Sequence, residues 1–118
     1  MRVARYIFTS LFAVSLVIGS STAASAGRVH HLISGSIMRK VERVHVCEEG
    51  QAGWHVDGPI YFGGLGWLAA TWQRYRAPSF PVNMADATPE QQGWAMAHFV
   101  GSALNGWWPD QVGCTGGY

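Results

Sequence analysis

Val44-His45-Val46-Cys47-Glu48-Glu49-Gly50 closes an amphipathic stretch with a cysteine set beside two carboxylates, and its reading decides the fold. Upstream, Ile37, Val41 and Val44 recur at helical spacing, while Arg39, Lys40, Glu42 and Arg43 take the other side. The spacing predicts a first helix ending near Glu49, with Ser34 or Ser36 as its cap. The only other cysteine, Cys114, stands four residues from the end of the chain. In an exported protein the two are expected to pair, which would bring Trp107-Trp108-Pro109 beside Glu48. Two free or intermolecular thiols are the alternative.

Export is itself a reading of the sequence. Met1 to Arg5 carries two arginines and no acid, Tyr6 to Ile18 is almost wholly apolar, and Ala24-Ser25-Ala26 offers small residues for cleavage. Residues 1–26 therefore read as a secretory signal peptide, followed by a short leader over 27–35 and one domain over 36–118. The apolar run is shorter than the ~20 residues of a membrane span, so the mature protein is expected in the extracellular space or the cell wall, free of the membrane. Of 118 residues with a formal charge of +1, loss of Arg2 and Arg5 leaves six basic against seven acidic groups, a charge of −1. Nucleic acid and anionic lipid are excluded as partners by that balance, and neutral polymers fit it.

The rest of the chain is punctuated clearly. Gly50 to Gly64, with Pro59 and the Asp57-Gly58 turn signal, reads as loop or an irregular hairpin around Trp54, Val56 and Tyr61. A short helix is expected over Gly66 to Tyr75, with Trp67, Leu68 and Trp72 on its apolar stripe and Pro78 and Pro81 beyond its end. Thr88-Pro89-Glu90-Gln91 has a capping residue, proline at the first helical position and glutamine at the third. That start predicts a helix to about Leu104 with Met96, Phe99, Val100 and Ala103 inward, closed by Asn105-Gly106.

Several chemistries lack their parts. No pair among His30, His31, His45, His55 and His98 has the spacing of a known metal site, and no G-x-S-x-G or phosphate-binding glycine loop is present. A bridged Cys47 is no nucleophile. No cofactor or metal is expected.

Val44 to Gly50, then Tyr61-Phe62-Gly63-Gly64-Leu65, Thr71-Trp72 and Tyr75, Glu90-Gln91-Gln92, and Trp108-Pro109 before Cys114 together resemble the resuscitation-promoting factor and transglycosylase-like domain of actinobacteria. The resemblance runs from about Val41 to Cys114. It implies an α+β, mainly helical lysozyme-like domain with one disulfide and a groove for the glycan strands of peptidoglycan. It also implies that Glu48 is the general acid, that Cys47 pairs with Cys114, and that Gly63, Gly64, Leu65, Thr71 and Trp72 line the groove. Trp54, Asp57 and Gln91 complete the substrate-binding set read from the sequence. The family has Gln and Phe where this chain has Gly66 and Trp67, and Ser or Thr then Gly-Gly where it has Glu49-Gly50-Gln51.

The chemistry of a glycosidic bond suits that assignment. A carboxylic acid protonates the leaving oxygen near neutral pH when apolar surroundings raise its pKa, and Trp54, Trp72, Trp107 and Trp108 are available to supply them. A hydrolase of the usual kind adds a second carboxylate at about 5–9 Å, whereas a lytic or substrate-assisted route needs one. The candidates are Asp57 and, less directly, Glu49, whose side chain leaves the helix about 100° around from Glu48.

Plainer roles stand beside these. Glu48 is read also as a solvated helix-end carboxylate, Gly63-Gly64 as a tight turn, Thr71 as a residue bonding back to the preceding turn, and Gln91 and Gln92 as capping and surface groups. At least half of the six tryptophans are expected in the core. The functional expectation is a secreted muramidase or lytic transglycosylase acting as a monomer. A noncatalytic wall-binding or signalling module of the same fold is the alternative, and a domain that binds another wall hydrolase is a third.

Overall fold

The computed structural model describes residues 31–114. The expected signal peptide and the first residues of the leader lie outside them. About half of the described chain is helical, with one two-stranded sheet and one disulfide. None of the described helices is long and apolar enough to cross a membrane.

Helix α1 spans Gly35–Glu49, begun by Ser34, whose hydroxyl accepts from the Ile37 N–H at 3.3 Å. It ends because Gly50 takes φ 59°, a conformation that costs glycine little. Val41 and Val44 are fully buried, as their spacing predicts, but Cys47 has left the stripe and is exposed at the surface end of the helix. Its sulfur joins Cys114 across a Cα–Cα distance of 5.7 Å.

The glycine-rich stretch resolves into a hairpin. β1 (Tyr61–Phe62) and β2 (Trp67–Leu68) run antiparallel, Tyr61 opposite Leu68 and Phe62 opposite Trp67, and Asp57 bridges Phe62 on the outer side. The turn needs positive φ at Gly63 (68°) and Gly66 (67°). The helix expected from Gly66 therefore begins later, as α2 over Ala69–Tyr75. Trp67 explains the delay: as a strand residue it is completely buried, edge-on to Trp72, Tyr75 and Phe99 at centroid distances of 5.6–6.3 Å. Tertiary packing of one aromatic side chain outweighs the local helical pattern.

A single turn at Met84–Asp86, capped by the Asn83 side chain on the Ala85 N–H, leads into α3 over Pro89–Ala103. The capping box at Thr88 forms in both directions: the hydroxyl accepts from Gln91 N–H at 3.2 Å, and Gln91 Oε1 accepts from Thr88 N–H at 3.0 Å. Met96 and Val100 are buried, Phe99 is half-buried, and Ala103, expected inward, is exposed. Gly93 lets α3 press against α1, since a Cβ there would stand 3.0 Å from Val41 Cγ2. A further short helix, α4 over Pro109–Val112, follows the buried Trp108, over whose ring the Lys40 ammonium lies at 5.7 Å.

Candidate functional site

Glu48 and Glu49 leave the last turn of α1 where the disulfide, the loop after α1 and the hairpin meet. Their side chains line an open cavity of about 480 Å³ together with Val56, Gly58, Pro59, Ile60, Tyr61, Gly66 and Cys114. Both carboxylates are half-buried, and Ile60 and Tyr61 are exposed at the rim. Gly66 lies against both: a Cβ built on it would be 2.9 Å from Glu49 Oε1 and 3.8 Å from Glu48 Oε2. Burial pushes the Glu49 carboxyl above the usual range, the negative charge of Glu48 adds to the rise, and His45 offsets part of it.

His45 is held firmly. Its ring stacks on Trp54 at 4.1 Å, and Nδ1 donates to the Gly64 carbonyl at 2.5 Å, which places a proton on that nitrogen because a carbonyl only accepts. Gly64 in turn has no room for a side chain, since a Cβ would meet Trp54 Cε3 at 2.5 Å.

The tryptophans expected to surround Glu48 do other things. Trp107 is 59% exposed and Trp108 is in the core, so neither lines the cavity; Val56, Pro59, Ile60 and Tyr61 supply its apolar walls. The disulfide brings Cys114 to the cavity, but the intervening α4 keeps Trp107 and Trp108 off it. Arg43 is paired with Asp110 on α4 at 3.0 Å.

The other residues singled out from the sequence fall elsewhere. Gly63, Gly64 and Leu65 are buried in the hairpin turn, where protein atoms take the space a ligand would need. Trp72 is buried, its indole N–H donating to the Pro81 carbonyl, and Thr71 lies on a separate surface with Tyr75 and Phe99. Asp57 is exposed and accepts from Asn83 Nδ2 at 3.2 Å, outside the cavity with the two glutamates. Trp54 is half-buried beneath His45, and Gln91 is occupied by its cap. Glu48 alone of the proposed polar groups reaches the cavity, joined there by Glu49.

Gln92, expected on the surface, is completely buried. Its Nε2 is within bonding distance of the Trp54, Ala87 and Met84 carbonyls at 2.8, 3.0 and 3.3 Å, and its Oε1 accepts from Gly64 N–H at 2.8 Å. One amide thereby ties the loop, the hairpin turn and the turn before α3 to one another. No periodicity signals this, because the partners are backbone groups far away in sequence. Among the described residues, no three His, Cys, Asp or Glu side chains gather as metal ligands would.

The chain matches no family model, no curated protein and no solved structure. The functional reading therefore stands on the cavity and its residues.

Proposed function

We propose that this protein is a secreted enzyme that cleaves the β-1,4 glycosidic bonds of peptidoglycan glycan strands, through a lysozyme-like groove centred on Glu48. The observation that carries the reading is the placement of Glu48 and Glu49 in one open, apolar-walled cavity at the end of a helix anchored by a disulfide. Cleavage needs a carboxylic acid to protonate the leaving oxygen and a negative charge to stabilise the oxocarbenium-like carbon that remains. Two carboxylates against apolar walls supply both. The exposed faces of Ile60 and Tyr61 suit the apolar face of a pyranose ring.

A noncatalytic wall-binding module is the second reading. It is favoured by the burial of Gly63 to Leu65 and by the separation of Thr71, Trp72 and Asp57 from the cavity, which together leave fewer polar groups to orient a glycan.

Mass spectrometry of fragments released from purified actinobacterial peptidoglycan decides between them. The mature protein is expected to release muropeptides with reducing or 1,6-anhydro ends, and Glu48→Gln to release none. If neither protein releases fragments while both sediment with the polymer, the enzyme reading is wrong and the binding module stands.

A further inference from the structure

We propose that Glu49 is the proton donor of this cleft and Glu48 its charged partner, the two carboxylates working as one coupled pair. The proposal rests on the glycosidase reading but moves the acid role, which the family resemblance gives to Glu48, to Glu49.

Three features of the geometry carry it. First, both side chains line the same cavity although they leave the helix in different directions. Second, Glu49 is seated against Gly66, where the absence of a side chain at positive φ leaves room for a carboxyl group; a Cβ there would stand 2.9 Å from Glu49 Oε1. Third, the surroundings that meet Glu49 from other elements are poor in compensating charge. Loop 56–60 brings Val56, Gly58, Pro59 and Ile60, the hairpin brings Tyr61 and Gly66, and Cys114 is bridged. Among the described residues, the ionisable groups facing it are Glu48 and His45 on its own helix and Tyr61 on β1. Two carboxylates in such a cavity lose their protons in separate steps, and the later proton is assigned to Glu49, whose carboxyl oxygen is the one packed against Gly66. The upward displacement of the Glu49 carboxyl, caused first by burial and then by Glu48, agrees with that order.

Glu49 gives its proton to the glycosidic oxygen, the C1–O bond breaks with its electron pair moving to that oxygen, and the leaving sugar departs as an alcohol. The positive charge left on C1 faces the Glu48 carboxylate. Attack on C1 by water, or by the same sugar's 6-hydroxyl, forms the new C–O bond, and the proton shed by the attacking oxygen returns to Glu49.

Carboxyl ¹³C NMR titration of the mature protein, with Glu48→Gln and Glu49→Gln to assign signals, tests the pairing without any substrate. The Glu49 signal is expected to titrate above the ordinary carboxylate range and to move to lower pH in Glu48→Gln. A Glu49 signal that titrates in the ordinary carboxylate range, or that ignores loss of the Glu48 charge, overturns the pairing. Fragment release then tests the donor role: Glu49→Gln is expected to lose at least 100-fold in rate, a loss on the order of that for general acid removal, while Glu48→Gln releases nothing because the charge that faces C1 is gone. Near-wild-type release by Glu49→Gln overturns the donor role, and Glu49→Asp, which retains a titrating acid, guards against a folding artefact by recovering part of the activity. If the wild type itself releases nothing, the glycosidase reading and the donor role fail together, while the titration still decides whether the pair is coupled.

Discussion

Gly66 and Glu49 are shaped to one another: a Cβ on Gly66 would lie 2.9 Å from Glu49 Oε1, and Gly66 holds φ at 67°. The carboxylate is the mobile end of a flexible side chain, so it yields more readily than the backbone does. Gly66→Ala is therefore expected to cost about 1–2 kcal/mol, chiefly through the positive φ. It should also push Glu49 outward and lower its carboxyl pKa toward the ordinary range. Chemical denaturation reads the first effect and carboxyl NMR titration the second; an unchanged titration would mean that Gly66 does not seat Glu49.

Gln92 is the buried polar hub of the domain. Gln92→Leu retains the volume but leaves the Gly64 N–H and the Trp54 and Ala87 carbonyls without this partner, while the Met84 carbonyl still accepts from Ala87 N–H. At roughly 1–3 kcal/mol for each buried group left unsatisfied, a loss of at least about 3 kcal/mol is expected, a large share of the stability of a small domain. Urea denaturation measures it, and a loss below about 1 kcal/mol would show that the loop relaxes to find other partners.

The Cys47–Cys114 bridge has a sequence separation of 67 residues. Constraining a loop of that length in the unfolded chain is worth about 4 kcal/mol in the chain-entropy model. Replacing both cysteines by serine should lower the denaturation midpoint accordingly and widen the cavity that Cys114 lines. Equal midpoints with and without reductant would refute a stabilising role.

Glu49 also gives stability a pH dependence with a definite sign. Its folded-state pKa lies above the unfolded value, so its favourable contribution is full below the unfolded value and is lost as pH rises through the folded one. Glu49→Gln removes that titration. The variant is thus expected to gain in Tm relative to wild type as pH rises from about 3 to about 8, by a small amount because the group is only half-buried. A difference that is flat across this range would place Glu49 in ordinary solvent.

The local grammar of the chain was legible in advance where one residue and its near neighbours decide the outcome. The Ser34 cap, the Val41–Val44 face of α1, the Thr88-Pro89-Gln91 start of α3 and the stop after Tyr75 all depend on contacts within a few residues. The pairing of the two cysteines followed from there being only two in a chain read as exported.

Only tertiary structure decided what surrounds the carboxylates. Whether Trp67 begins a helix or ends a hairpin depends on the cluster with Trp72, Tyr75 and Phe99, whose members come from three elements. Whether Gln92 meets water or four backbone groups depends on where residues 54, 64, 84 and 87 arrive. Glu48 and Glu49 differ by 100° around an ideal helix, yet a loop and a hairpin meet the end of α1 so that both line one open cavity. Sequence spacing determined which residues share a helix face; the long-range packing that removes water from a side chain, and so sets its proton affinity, was determined by the fold.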